Sequence, residues 1–285
     1  MSALEQHRHH PRTFHENRFV YPVLSRRSHG LSLGINLNPD KICNFDCIYC
    51  QVDRTSQAET RFVELDAVTA ELESLLGLVS DGSIWDDPSF ADVPGELRRL
   101  NDIAFSGDGE PTTYRNFDEI VERVAEVKDG CGAESSRLVL ISNASMFHRP
   151  VVEAGLETLS RHNGEIWAKL EAGTEAYYQL IERTVVPFAR VLENIAWAAR
   201  KWPVVIQSLF MRVDGEAVSE SEIDAYCERL NEIVSSGGTL KLVQVYTVAR
   251  PPAESFVTRL GDVELEAIAE RVRELCGLET AVFGG

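Results

Sequence analysis

The 285-residue sequence predicts an α/β fold, six β-α units in series forming a parallel sheet as a partial or full barrel. Three observations predict it. Short apolar runs of strand length alternate with amphipathic stretches of helical spacing along most of the chain. Polar and glycine-rich residues gather just after the apolar runs, at the rim where a parallel barrel carries its site. No Gly-x-Gly-x-x-Gly follows the first strand, so nothing favours an open dinucleotide-binding sheet.

The elements follow in order. Residues 1–30 read as a basic N-terminal arm, with Arg8, Arg12, Arg18, Arg26 and Arg27 against Glu5 and Glu16, and a solvated tail is expected there. Histidines 7, 9 and 10 lie in that polar stretch. The core domain is expected over 31–285. Its first strand, 31–37, delivers the chain into a cysteine-rich loop, and 66–78 then has helical spacing. Residues 80–94, rich in Asp, Pro and Gly, read as a loop insertion. Five further strands are predicted at 102–106, 138–142, 165–171, 204–211 and 240–246. Helical patterns lie between them at 117–128, 149–161, 174–183, 187–200 and 219–235. A last helix over 263–275 precedes a short terminal strand at 279–283.

Composition bounds the class. With 44% hydrophobic and 26% charged residues, the chain can bury a large core. No basic segment leads into an apolar leader, and no apolar run approaches the roughly 18 residues that span a bilayer. A cytoplasmic protein without membrane contact is expected. The net charge of −17 argues against wide electrostatic capture of nucleic acid. Cys131, Cys227 and Cys276 are scattered singly and read as free thiols rather than a disulfide framework.

The loop Lys41-Ile-Cys-Asn-Phe-Asp-Cys-Ile-Tyr-Cys-Gln51 is the most informative stretch. Its C-x3-C-x2-C spacing gathers the thiols of Cys43, Cys47 and Cys50 and supplies no fourth. A four-iron cluster ordinarily takes four cysteines; held by three, it keeps one iron open to another ligand. Structural zinc is the competing use, with a histidine such as His29 as fourth ligand.

Further candidates fall at the other strand ends. After the second strand, Gly107-Asp108-Gly109-Glu110 sets two carboxylates beside glycines that permit close approach, an arrangement suited to an ammonium group. Ser142 and Asn143 end the third strand, as ligand contacts or as caps. On the fourth, Trp167, Lys169 and Glu171 share one face. A lysine and a glutamate aimed into a parallel sheet need each other or a polar cavity. Gln207, Gln244 and Tyr246 interrupt apolar strands, and Arg250 follows in Thr247-Val-Ala-Arg-Pro-Pro252. Each could be a satisfied core polar group. Together with Lys169 they are the candidates for a wet second-substrate pocket and its catalytic groups.

In combination these motifs resemble the radical S-adenosylmethionine enzymes, over about residues 30–250. The carriers are the three-cysteine loop, Tyr49 just before its last cysteine, and Gly-Asp-Gly-Glu-Pro after the second strand. Ser32-Leu-Gly-Ile-Asn36 and Val243-Gln-Val-Tyr-Thr-Val-Ala-Arg-Pro-Pro252 are similar to iron–sulfur oxidoreductases related to the enzymes that form wyosine in transfer RNA. The resemblance implies a partial barrel of the radical SAM type, with a 4Fe–4S cluster on Cys43, Cys47 and Cys50 whose open iron chelates S-adenosylmethionine. It implies that Tyr49 lies near the adenine and that Gly107, Asp108, Gly109 and Glu110 hold the methionine ammonium. Ser142, Asn143 and Glu171 would contact the carboxylate or ribose. A flavodoxin or ferredoxin would supply the electron, and RNA is the substrate class favoured by resemblance, ahead of a protein partner or a small metabolite. The family's Gly-Gly-Glu stands here as Gly-Asp-Gly-Glu, which leaves open which acid takes the ammonium.

Overall fold

The computed structural model describes residues 13–284 except 53, 55–59, 61 and 253. Arg8, Arg12 and the histidines at 7, 9 and 10 lie outside the described residues. The chain forms two compact units, one of Met1–Ile42, Ser56–Ile141 and Arg149–Glu165, the other of Cys43–Thr55, Ser142–His148 and Ile166–Gly285.

In the first unit β1 (Val20–Ser25) pairs antiparallel with β2 (Gly30–Ile35), β2 pairs parallel with β3 (Leu100–Phe105), and β3 parallel with β4 (Arg137–Ser142). All six residues of β2 are buried, as expected of a strand covered on both faces. The helices are α1 (Leu65–Asp81), α2 (Phe117–Gly130) and α3 (Pro150–Arg161). Buried Val68, Leu72, Leu75 and Leu76 keep the helical period on α1, which stops at Gly82 with φ 83°, a conformation glycine adopts without strain.

β1 corrects the expectation of a solvated tail over residues 20–25. Phe19, Val20 and Tyr21 are fully buried, and the Glu71 carboxylate on α1 accepts the N–H groups of Phe19 and Val20 at 2.8 and 2.9 Å. Pro22 is tolerated because β1 stands at the end of the strand order, where a missing donor costs no ladder bond. In the expected insertion at 80–94, buried Ile84, Phe90 and Val93 hold the segment down.

In the second unit β5 (Gly164–Lys169), β6 (Val204–Leu209), β9 (Leu240–Tyr246) and β11 (Thr280–Phe283) run parallel in that order. The terminal strand is therefore present. A small antiparallel sheet that the sequence did not announce orders β10 (Val257–Arg259), β7 (Met211–Val213) and β8 (Glu216–Ala217). The helices are α4 (Glu175–Glu182), α5 (Phe188–Lys201), α6 (Glu220–Ser235) and α7 (Asp262–Cys276). β5 ends at Lys169 rather than at 171. Beyond it the Glu222 carboxylate of α6 accepts the N–H groups of Gly173 and Thr174 at 2.6 and 3.0 Å, which turns the chain and leaves Glu171 in the bend. Among the described residues no helix is long and apolar enough to cross a membrane.

Candidate functional site

In the first unit the glycine-acid loop follows β3. Neither Gly107 nor Gly109 has positive φ; what each supplies is the lack of a side chain. A Cβ on Gly107 would collide with Asn36, and one on Gly109 with the Ile42 carbonyl and Asn38. Asn36 clamps the loop: its Nδ2 donates to Asp108 Oδ2 at 2.8 Å, while its Oδ1 accepts the Asp108 and Asn38 N–H groups at 3.1 and 3.0 Å. Glu110 turns inward, its Oε1 accepting Thr112 N–H at 3.1 Å and the Thr112 hydroxyl at 2.5 Å. Tyr21, seated over Gly34, donates its hydroxyl to the Ser106 carbonyl at 3.1 Å. His29 stands in the turn before β2 with φ 57°.

In the second unit the cysteine loop is fastened to the end of α4. The last carbonyls of a helix lack partners within it. Here Ile181 and Glu182 carbonyls accept the N–H groups of Ile48 at 2.9 Å and Asp46 at 3.1 Å. The Thr184 hydroxyl donates to the Asn44 carbonyl at 2.9 Å, and Arg183 ends α4 with φ 43°. The turn after β4 braces the loop further. Asn143 Nδ2 donates to Asn44 Oδ1 at 3.0 Å, and Asn44 Nδ2 donates to the Ser145 hydroxyl at 2.8 Å. Ser142 Oγ accepts Ala144 N–H at 2.9 Å, a turn-capping bond, and buried Asn194 of α5 fixes that turn by donating to the Ala144 and Ser145 carbonyls.

Around Cys47 the unit forms a pocket with Tyr49, Asn143, Lys169, Glu171 and Glu182 as its polar lining and Phe45, Leu170, Tyr178, Phe188 and Val191 as its apolar walls. The Tyr49 hydroxyl donates to the Glu182 carboxylate at 2.9 and 3.2 Å, and Lys169 Nζ sits 5.1 Å from the centre of the Tyr49 ring, within cation–π range. Burial and then the neighbouring Glu182 push the Glu171 carboxyl well above the usual carboxylate range; burial raises Glu182 as well. Burial works against the Lys169 ammonium, but Tyr246, Glu171, Cys47 and Glu182 outweigh it and hold the amine above its ordinary value. Glu171 Oε1 is buried without a hydrogen-bond partner.

The structure thus brings Tyr49, Asn143, Lys169 and Glu171 together with Cys47. Gln207 and Gln244 behave differently from the wet cavity expected of them. Gln207 is fully buried and donates from Nε2 to Gln244 Oε1 at 2.7 Å, leaving its own Oε1 without a partner. Tyr246 ends β9, nearly buried, and the Arg250 carbonyl accepts Gln51 Nε2 at 2.9 Å, tying that turn to the cysteine loop. Sequence reasoning passed over Asn36, Asn44, Gln51 and Glu182. Glu182 had a signal: it follows buried Tyr178 and Ile181 on one helical face, so a charged residue was being carried inward.

The thiols fit an iron–sulfur cluster in two respects. Burial, with Glu182 next, pushes the Cys47 thiol well above its usual range, so a thiolate there needs metal to compensate it. Arg54 Nη2 lies 3.6 Å from Cys50 Sγ, and the Cys50, Cys43 and Cys47 sulfurs outweigh burial in raising the guanidinium, a cation placed against an anionic centre. Among the described residues no three His, Cys, Asp or Glu side chains stand round one point as ligands of a single ion; the thiols of a cluster bind different irons and need not converge in that way.

A family model described as Radical SAM superfamily matches residues 37–230. The chain is 23% identical over 279 residues to GTPase Obg of Brachyspira hyodysenteriae, across 92% of this chain and 34% of that protein. It is 25% identical over 164 residues to the dual-specificity RNA methyltransferase RlmN of Brucella anthropi, across 56% of this chain and 37% of that one. The chain spans about a third of the length of these curated relatives. Among solved structures it resembles a radical SAM methyltransferase from Sphaerobacter thermophilus, with TM-score 0.66, 12% identity, and 93% and 69% of the two chains covered. It also resembles TYW1 with a lysine–pyruvate adduct bound, with TM-score 0.51, 17% identity, and 87% and 74% covered. At these identities the likenesses show the fold, the α/β partial barrel of the radical SAM type.

Proposed function

Because this chain belongs to the radical SAM superfamily, whose members use a 4Fe–4S cluster and S-adenosylmethionine, we propose that Cys43, Cys47 and Cys50 hold that cluster and that the chain catalyses a radical reaction on a second substrate. The observation that carries the proposal is the three-cysteine loop pinned to α4 with Tyr49, Asn143, Lys169 and Glu171 lining the pocket at Cys47. A cluster held there would supply the single electron for reductive cleavage of S-adenosylmethionine to methionine and a 5′-deoxyadenosyl radical able to abstract hydrogen. The hard chemistry is the cofactor's; the chain binds, orients and excludes.

The residues divide the remaining work. Glu182 fixes the Tyr49 phenol and Lys169 sits against its ring, which holds Tyr49 in one orientation as the candidate neighbour of an adenine. Glu171 offers its unpartnered oxygen to a hydroxyl or ammonium of the cofactor. In the glycine-acid loop Glu110 is committed to Thr112 and Asp108 to Asn36. Both carboxylates are therefore preorganised acceptors for the methionine ammonium, and Gly107 and Gly109 let the loop pack close to Asn36 and Asn38. Gln207, Gln244, Tyr246 and Arg250 remain the substrate-side candidates, with Gln207 Oε1 as the open acceptor.

RNA is the proposed substrate class, supported by the motif resemblance and by the likeness to an RNA methyltransferase. The GTPase name is not carried over, since no Gly-Lys pair of a phosphate loop occurs in the sequence. Iron–sulfur reconstitution under nitrogen, reduction with dithionite and addition of S-adenosylmethionine should release 5′-deoxyadenosine. A loaded, reducible cluster that releases none would sink the reading. Acceleration of that release by ribosomal or transfer RNA transcripts tests the substrate class; acceleration by a protein or metabolite fraction alone would replace it.

A further inference from the structure

Two thiols that neither loop uses lie side by side in the second unit. Cys227, on α6, is 1% exposed, and Cys276, the last residue of α7, is half-buried. The Cys276 thiol donates to the Cys227 carbonyl oxygen at 3.5 Å, 49 residues away in sequence, which sets the two cysteines against each other across α6 and α7. We propose that Cys227 and Cys276 are a modification site, a dithiol that closes to a disulfide joining α6 to α7.

The two partners are unequal, as an exchanging pair requires. Cys276 is the more accessible of the two, and the neighbouring Cys227 leads in holding its thiol below the ordinary range against some burial. Cys227 is pushed up, by the neighbouring Cys276 and then by burial. Cys276 is therefore the attacking thiol and Cys227 the resolving one. The Cys276 thiolate attacks a low-molecular-weight disulfide, whose S–S bond breaks to release one thiol. Cys227 then attacks the Cys276 sulfur of the mixed disulfide and expels the second. Two protein thiols are oxidised, the external disulfide is reduced to two thiols, and the two protons leave on them.

The bond would act on the helix that braces the candidate pocket. About one turn before Cys227, Glu222 holds the N–H groups of Gly173 and Thr174, just beyond Glu171. The adjacent Tyr226 hydroxyl meets Ser208 Oγ at 2.6 Å, and the Tyr226 backbone packs so close to Gly173 that a Cβ there would collide.

The test equilibrates cluster-loaded protein with oxidised glutathione, alkylates the remaining thiols and maps non-reduced peptides by mass spectrometry. The expected product is a crosslink between the Cys227 and Cys276 peptides, lighter by two hydrogens, with exposed Cys131 carrying a glutathione adduct at most. In Cys227→Ser the reaction should stop at a glutathione adduct on Cys276, and the rise in melting temperature that oxidation gives the wild type should vanish. A wild-type protein that keeps the adduct on Cys276 without crosslinking, or leaves both thiols open to alkylation in excess oxidised glutathione, would overturn the proposal.

Discussion

The glycine-acid loop and the cysteine-loop pocket both carry carboxylates, but they store them in opposite ways. Asp108 and Glu110 are held by amide and hydroxyl donors from Asn36 and Thr112, ordinary satisfied groups of a closed turn. Glu171 and Glu182 are buried against one another with Lys169 and Tyr49, one oxygen unpartnered. The first loop is shaped for close approach. The second buries two carboxyls against each other and leaves one oxygen without a partner. Sites built that way trade stability for function, so mutations in the two regions should separate the two properties.

The largest effect is expected at the metal. Cys47→Ala should abolish cluster assembly and deoxyadenosine release together, read by iron and sulfide content and by chromatography. Next, Glu171→Gln removes one acid of a buried pair while keeping its volume. It should leave the melting temperature unchanged or raised, because like charges no longer compete, yet weaken S-adenosylmethionine binding about tenfold to a hundredfold, the loss of a charge-assisted hydrogen bond of roughly 1.5–3 kcal/mol. A fall in stability with unchanged binding would erase the contrast. Asn36→Ala should do the reverse. It strips two backbone N–H groups and the Asp108 carboxylate of their partner, costs about 1–3 kcal/mol of stability, and raises the KM for S-adenosylmethionine with little change in kcat. Gln207→Leu should spare cluster content and uncoupled cleavage while lowering substrate-stimulated turnover; loss of the cluster there would break the assignment.

The smallest effect serves as a control away from both loops. Asp129, at the end of α2, accepts from Lys128 at 2.8 Å and His162 at 2.6 Å, and the hydrogen bond from Lys128 leads in holding its carboxyl below the usual range. A depressed folded-state value means its contribution is present above the unfolded value of about 3.9. That contribution is lost as pH falls through the folded value. Asp129→Asn should flatten the acid limb of the stability curve by less than about 1 kcal/mol and leave cofactor binding untouched.

Much of the fold was legible because a parallel strand buried on both faces reads as an unbroken apolar run, as at 138–141 in β4. β1 was hidden by its flanking arginines, which mark a tail, and its place is set by long-range partners such as Glu71. The two- and three-residue strands β7, β8 and β10 carry too few residues for any period. In the candidate site, the cysteine loop was legible because its spacing is local. Glu182 and Asn36 were not, since their roles come from Tyr49 and Asp108, 133 and 72 residues away. Glu171 was expected on the strand but lies in the turn that Glu222 enforces.

The central claim is a cluster on three cysteines with one iron open to S-adenosylmethionine. Its most direct test is the electron paramagnetic resonance spectrum of the reconstituted, reduced protein before and after S-adenosylmethionine is added. The account predicts a reduced 4Fe–4S signal whose g-values shift when the cofactor occupies the open iron, and no such signal in Cys47→Ala. A signal that ignores the cofactor, or purified protein carrying one zinc and neither iron nor sulfide, would contradict it.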